Sequence, residues 1–371
     1  MDIFDKISRP TLVLNMETVL RNIKRMSNKA EEQKVRFRPH FKTHQSSTIG
    51  ELFRSEGVEE ITVSSVEMAE YFAGSGWNDV TIAFPVNLRQ IDKISRLAAA
   101  IQLGVLVETP GAVSTLGRFV QAPLNLWIEV DTGYGRTGLP WSETGQAVEI
   151  LQAIALYPQL RIRGLLTHAG DTYHSNSLAE ICTRYRDSVG RINKLRSSLE
   201  KSTGIKLEVS VGDTPGCTVC PDLGKVNEIR PGNFIFYDAI QLQLGVCQAD
   251  DIAVAVACPV VAVYPTRNNI VIYGGAVHLS KDSFIEGGIR KFGYVSLPEE
   301  DGWGHPLKGA FVSGLSQEHG TIHLESEDLQ KIKPGDLVCI LPAHSCLTVQ
   351  VLGSYLTLDG NNINSINSTV K

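Results

Sequence analysis

The sequence predicts an α/β protein: a (β/α)8 TIM-like barrel followed by a C-terminal mostly-β domain. Two observations carry this. Through the first two thirds of the 371 residues, short apolar runs alternate with helical patterns, and eight such runs occur after residue 35. Beyond about residue 250, helical periodicity nearly stops and strand patterns follow one another, separated by Gly, Pro and Asp turns. Alternating β and α units imply parallel strands joined by right-handed crossovers. Eight repeats are the number that closes a barrel. A doubly wound open sheet is the competing arrangement.

In chain order, "TLVLN" (11–15) reads as a strand and is followed by a long amphipathic helix to about residue 32. The eight barrel strands are expected at 36–42, 60–65, 79–84, 102–108, 124–130, 161–168, 206–211 and 228–236, with helices such as 142–157 and 177–202 between them. Most are continuous apolar runs, as strands buried on both faces should be. The β domain is expected over 251–371, in "IAVAVACPVVAVYP", "NIVIYGGAVHLS", "GAFVSGLSQEHGTIHL", "DLVCILPAHSCLTVQVL" and "SYLTLDG". Residues 1–250 then form the barrel domain, except that 1–15 can add a strand to the β domain. The polar end "NNINSINSTVK" reads as a frayed tail.

Composition limits the function. Hydrophobic residues make up 43% of the chain, enough for a packed core, and the net charge is -5. With no basic excess, nucleic acid is not an expected partner. No run of about 18 apolar residues is present, so no membrane span is expected. "MDIFDKISRPTLVLN" lacks an apolar signal core, and a soluble cytoplasmic protein follows as the expectation. Seven cysteines without an export signal are expected to be reduced.

In a barrel of this type the active site lies at the C-terminal ends of the strands. The first strand leads to Lys42 in "RFRPHFKTHQ", the fifth to Arg136 in "EVDTGYGRTG", and the sixth to His168 and Tyr173 in "LLTHAGDTY". The seventh and eighth end in "GDTPG" and "RPGN", in the usual phosphate position of the fold. Thr214 offers a hydroxyl there, and Gly232 and Asn233 offer backbone amides that can form an anion-binding concavity. Taken singly, each is an ordinary turn signal; on adjacent strands they suggest a phosphate cradle. Desolvation and cations such as Arg38 would lower the pKa of Lys42 and make it a nucleophilic amine. A reactive lysine beside a phosphate cradle points to pyridoxal 5'-phosphate.

In "PAHSC", His344 and Cys346 stand two apart on a predicted strand or its end, so they should face one side. Imidazole and thiolate together suit zinc, and two ligands leave room for water and substrate. Manganese or magnesium are the alternatives. "CTVC" (217–220) lacks a second pair and reads as a helix start with buried thiols. Glu318 and His319 are either turn residues or supports for the metal; His278, His305 and His323 read as structural.

The motifs "RPHFKTH", "EVDTGYGRTG", "THAGDTY", "GDTPG", "EIRPGNFIFYD" and "PAHSC", in this order, resemble those of D-serine dehydratase and D-threonine aldolase-like proteins. These belong to the alanine racemase-like group of pyridoxal phosphate enzymes, and the resemblance covers nearly the whole chain. It implies a homodimer, with Lys42 as the Schiff-base lysine. Thr214, Gly232 and Asn233 match phosphate-binding positions, and Arg136 resembles the arginine at the cofactor ring. His168 and Tyr173 match residues lining the pocket, and His344 and Cys346 match metal ligands. The H-x-C form resembles zinc-dependent dehydratases, whereas aldolases of the group usually show H-x-D. The implied activity is dehydration of a D-3-hydroxy amino acid, D-serine to pyruvate and ammonia first, with Lys42 as the catalytic base and Tyr173 beside it. Retro-aldol cleavage is the alternative. A racemase would need a second base and no metal, and a non-catalytic pyridoxal phosphate carrier would lack the β domain. Three residues depart from the pattern: Gln45, Asp171 and Asp213, the last a carboxylate that would repel a phosphate unless turned away.

Overall fold

The structure is a computed structural model in which residues 3–368 are described. The chain forms two compact units. One comprises Arg25–Lys42 and Phe53–Gly232; the other holds the residues up to Lys24, Thr43–Leu52, and those from Asn233 onward.

Strand β1 (Thr11–Leu14) leads into helix α1 (Met16–Glu32). The Asn15 side chain accepts a hydrogen bond from the Thr18 N–H at 3.0 Å and so caps the helix start. Val19, Ile23, Met26 and Ala30 are buried, at the spacing of one helix face.

The first unit contains the parallel barrel. Its strands are β2 (Arg36–Phe37), β3 (Glu60–Val63), β4 (Asp79–Pro85), β5 (Gln102–Val107), β6 (Leu124–Asp131), β8 (Leu160–His168), β9 (Glu208–Gly212) and β10 (Glu228–Ile229). A short β7 (Leu139–Pro140) pairs only with β6. Helices α2 (Ser47–Ser55), α3 (Val66–Gly74), α4 (Ile91–Ala100), α5 (Pro110–Phe119), α6 (Thr144–Ala155) and α7 (Leu178–Thr203) separate them. Around the barrel the order is β2-β10-β9-β8-β6-β5-β4-β3, and a parallel bridge between His40 and Thr62 closes the ring. The strands are buried on both faces, as in β5, where residues 103 and 105–107 are all buried.

The first and eighth strands are shorter than the expected 36–42 and 228–236. Pro39 and Pro231 supply no N–H and interrupt regular pairing. Single bonds carry the contact further: Arg38 N–H to Ile229 O at 3.0 Å and His40 N–H to Pro231 O at 2.9 Å. Lys42 therefore lies in a turn beyond the strand, and Asn233–Ile235 is a 3-10 turn.

The strand starts hold a buried ion-pair network. The Arg38 side chain is 4% exposed and reaches Glu60 at 2.5 Å, Asp79 at 2.6 Å and Glu228 at 2.8 Å. Arg36 joins Glu208 at 2.5 Å. Burial opposes the charge on Arg38, but Glu228, Asp79 and Glu60 outweigh it and raise its pKa. This corrects the expectation that Arg38 acts on Lys42: its charge is matched by carboxylates at the opposite end of the strands.

After β9 comes α8 (Thr214–Val219), capped by Asp213. One Asp213 oxygen accepts from Gly216 N–H at 2.5 Å and from the Thr172 hydroxyl at 2.9 Å. The carboxylate that departs from the phosphate-loop pattern is thus a helix cap. Burial pushes its pKa up to about 7.

The second unit adds α9 (Ala239–Gln243), α10 (Ala276–Leu279), α11 (Ser326–Leu329) and α12 (Ser345–Leu352). Its strands are β11 (Val254–Tyr264), β12 (Asn269–Tyr273), the hairpin β13 (Phe284–Glu286) and β14 (Ile289–Lys291), β15 (Gly293–Ser296), the hairpin β16 (Pro298–Glu299) and β17 (Gly302–Trp303), β18 (Phe311–Leu315), β19 (His319–His323), β20 (Leu337–Pro342), β21 (Ser354–Thr357) and β22 (Asn362–Asn364). Strands β11, β12, β19, β18, β15 and β20 close a six-strand β-barrel, because β12 pairs with both β19 and β11. β1 pairs antiparallel with β11 and parallel with β21. Two stretches expected as strand are helical: residues 276–279 and 345–352. Gly353, at φ 76°, ends the latter. The expected frayed tail is ordered as far as Ser368: β22 pairs with β21, and Ile366 N–H bonds Gln45 O at 2.7 Å. Residues 369–371 lie outside the described residues.

Two outcomes follow. Glu228→Ala leaves the buried Arg38 Nε without its acceptor and should lower the unfolding free energy by about 1–3 kcal/mol in denaturant titration; a loss below about 0.5 kcal/mol would contradict the network's role. A raised acid pKa contributes stability below the unfolded value near 3.8 that is lost as pH rises through about 7. Wild type should therefore lose stability relative to Asp213→Asn between about pH 4 and pH 7, whereas a constant difference would contradict the burial of that carboxyl.

Candidate active site

All eight barrel strands run parallel, so their C-terminal ends share one mouth. Lys42 follows β2, Arg136 follows β6, His168 ends β8, Tyr173 sits in the next turn, Thr214 follows β9 and Gly232 follows β10. The structure therefore brings six of the sequence-predicted residues to one rim. Tyr173 accepts a hydrogen bond from Thr214 N–H at 3.2 Å. The Thr214 hydroxyl is buried and has no hydrogen-bond partner among the described residues. Lys42 and Arg136 are exposed at the rim.

His168 Nδ1 lies 2.6 Å from Gly212 O. A carbonyl only accepts, so Nδ1 carries the proton and Nε2 is the free acceptor. Burial, then the charges of Arg136 and Lys42, push the His168 pKa down to about 3. His40 is lowered as well, by burial and by Lys42, Arg230, His168 and Arg136. Both imidazoles are neutral at physiological pH. Arg230 is a buried cation under the rim, donating to Thr167 O at 2.8 Å and to the Ser210 hydroxyl at 3.1 Å. Burial lowers its pKa to about 10.

Carboxylates hold the loop that carries Arg136. Asp131 accepts from Gly133 N–H at 2.8 Å and Gly135 N–H at 3.0 Å. Glu129 accepts from the Thr137 hydroxyl at 2.7 Å, and Glu108 from Gly138 N–H at 2.8 Å. Gly138 has φ 102°, and a Cβ there would meet Asp131 N at 2.6 Å, so only glycine fits the crossing. Burial raises the pKa of Glu129 to about 7, with Glu108 adding to the rise.

The residues 344–346 belong to the β-rich unit. His344 precedes α12 and Cys346 lies in its first turn. His344 Nδ1 is 3.1 Å from Asp238 Oδ2. The Cys346 thiol is 3.3 Å from Thr43 Oγ1 and 3.7 Å from Asn233 Nδ2. Burial works against the charged His344 imidazole, but Cys346 and Asp238 outweigh it and raise its pKa well above the ordinary value. Asn233, expected at the phosphate, turns its side-chain amide to Asp238 at 2.7 Å and to the Ser345 hydroxyl at 2.8 Å.

Among the described residues no cluster of three or more His, Cys, Asp and Glu side chains has metal-holding geometry. Cys217 and Cys220 are free and buried, in and just after α8. Glu318 lies 3.7 Å from His278, and His323 packs on Phe311. Sequence reasoning passed over Asp238, Glu129, Arg230 and His40, although all four stand inside the motifs quoted. Their signal was a charged or polar residue within an otherwise apolar run or at a turn. No helix among the described residues is long and apolar enough to cross a membrane.

The alanine racemase N-terminal domain matches residues 14–239, and a serine dehydratase domain matches 253–358. D-threo-3-hydroxyaspartate dehydratase of Delftia sp. is 28% identical, with 96% of each chain covered. D-serine dehydratase of Dictyostelium discoideum is 27% identical, covering 97% of this chain and 96% of its own. 3-hydroxy-D-aspartate aldolase of Paracoccus denitrificans is 30% identical over 63% of this chain and 62% of its own. The solved structure of the Delftia dehydratase superposes with TM-score 0.89 at 25% identity, covering 99% of both chains. A variant of that enzyme has been solved in a metal-free form. The chain thus belongs to the alanine racemase N-terminal domain family, in the form that continues into a D-serine dehydratase domain, and that membership implies pyridoxal 5'-phosphate as cofactor.

Proposed function

We propose that the protein is a zinc-dependent, pyridoxal phosphate-dependent dehydratase of D-3-hydroxy amino acids, converting D-serine to pyruvate and ammonia. The observation that carries this reading is the donor pair at 344–346, an imidazole and a thiol fixed by buried polar groups. The extent of similarity points the same way. Dehydratase relatives align along 96–97% of the chain, and the aldolase relative along 63%.

The rim residues fit the cofactor. A buried hydroxyl without a partner, Thr214 Oγ1, is a group that a phosphate oxygen would satisfy. Gly212 beside it leaves little room for a side chain: a Cβ would lie 3.1 Å from Arg230 atoms. On this reading Lys42 would carry the cofactor. Thr214 and the backbone of Gly232 and Asn233 would hold its phosphate, and Arg136, His168 and Tyr173 would line its ring. Bound there, the cofactor supplies an electron sink for charge developed at the substrate Cα. The donor set fits zinc, being one soft sulfur and one imidazole nitrogen with positions left open. Its chemistry is Lewis-acid help to the departing β-hydroxyl.

The chain's own residues do the rest. The Lys42 amine acts as base, taking the α-proton from its own side, and a base on one side selects one configuration. Neutral His168 presents Nε2 as an acceptor and adds no positive charge beside that amine. Tyr173 orients Thr214 through its N–H. The Asp131, Glu129 and Glu108 carboxylates keep the loop of Arg136 in one conformation, so the guanidinium is delivered without a cost of ordering at binding.

Retro-aldol cleavage is the second reading, favoured by the 30% identity of the aldolase relative over its aligned part. Products separate the two. D-serine should give pyruvate and ammonia, with D-threonine and D-threo-3-hydroxyaspartate giving the corresponding keto acids; glycine plus an aldehyde would establish the aldolase instead. Lys42→Ala should abolish the visible absorbance of bound cofactor together with turnover. His344→Ala should keep that absorbance and lower kcat roughly 100- to 1,000-fold, the several kcal/mol of metal assistance. Full activity of the His344 variant after chelation would remove the metal from the reaction.

A further inference from the structure

Asp238 has no exposed side-chain surface and binds through both oxygens. Oδ1 accepts from Gln241 N–H at 3.0 Å, which caps α9. A helix cap explains that oxygen alone. Oδ2 accepts from three donors: His344 Nδ1 at 3.1 Å, Ser345 N–H at 3.1 Å and Asn233 Nδ2 at 2.7 Å. The same Asn233 amide nitrogen reaches the Ser345 hydroxyl at 2.8 Å and the Cys346 sulfur at 3.7 Å. One carboxylate is therefore tied directly to one member of the donor pair and, through a single amide, to the other.

The chemistry of these contacts decides a tautomer. An ionised carboxylate only accepts, so the ring nitrogen facing Asp238 carries a proton. In the neutral imidazole the lone pair is then on Nε2. A carboxylate behind a histidine also raises the basicity of the far nitrogen and holds the ring plane.

We propose that Asp238 is the positioning residue of the metal site: it holds His344 as the Nδ1–H tautomer, presents Nε2 to the metal, and steers Cys346 through Asn233. This rests on the reading of His344 and Cys346 as metal ligands. It makes "FYD" a part of the metal site at a distance of 106 residues in sequence from His344. Asp238 itself is not a ligand in this arrangement, because its inward oxygen is fully engaged with three protein donors.

The test is zinc affinity of the cofactor-loaded protein, measured by competition with a chromophoric chelator. Asn is as good a helix cap as Asp, so Asp238→Asn keeps the α9 cap and changes the inward acceptor to a donor. Its zinc Kd should rise roughly 10- to 100-fold, with the visible absorbance of bound cofactor unchanged. A Kd equal to wild type would overturn the proposal. If wild type itself binds no zinc, the metal reading falls and this inference with it. Nitrogen-15 histidine NMR of zinc-loaded wild type needs no variant that must fold, and His344→Ala assigns the signal. Protonated Nδ1 with metal-bound Nε2 is the expected state. Metal on Nδ1 would refute the role of Asp238 while leaving zinc binding intact.

Discussion

Parallel closure of the eight-strand barrel is the constraint on which the rest depends. The His40–Thr62 bridge joins the first strand to the second and makes the sheet a ring. In a parallel ring every strand start lies at one end and every strand exit at the other. That separation explains the basic stretch "RFRPHFKTH". Arg36 and Arg38, at the start of the strand, are neutralised by Glu60, Asp79, Glu208 and Glu228, which also begin strands. Lys42, four residues beyond Arg38, emerges at the opposite mouth. A single run of positive charge is divided into a structural half and a reactive half by the length of one strand.

A second regularity concerns carboxylates. Several stand behind the residues at the sites. Asp213 caps α8 and receives Thr172; Asp131, Glu129 and Glu108 hold the loop of Arg136; Asp238 caps α9 and receives His344. Asp238 contacts His344 directly, whereas the other acids hold the loop or the helix start that carries Arg136 or Thr214. Buried acceptors are costly unless satisfied, so such an acid fixes its donors firmly. The reactive groups are thereby placed before any ligand arrives, which is how a site avoids an ordering cost at the moment of binding. The two histidines at the rim, His40 and His168, are held neutral first by burial and then by the cations Lys42, Arg136 and Arg230 nearby.

Much of the barrel was legible because buried parallel strands are short continuous apolar runs, and all eight were placed from that pattern. What failed did so for local reasons. Pro39 and Pro231 shorten pairing in strands whose side chains read as β. The segments at 276–279 and 345–352 contain Val, Thr and Cys, residues at home in strands. Both are short helices, and the left-handed Gly353 ends the second. The rim residues were legible from the rule that strand exits carry chemistry. Asp238 was not, because its meaning lies in a contact with His344 across 106 residues. The partners of Arg38 were hidden likewise, since Glu60, Asp79 and Glu228 are neighbours only after the ring has closed.

The central claim is that Lys42 is the residue to which the cofactor attaches at this rim. Borohydride reduction of the cofactor-loaded protein, followed by proteolysis and mass spectrometry of the peptides, tests it most directly. A pyridoxyl-phosphate mass increment on the peptide containing Lys42, and on that lysine by fragmentation, is the predicted result. The increment on another lysine, or on none, would contradict the account.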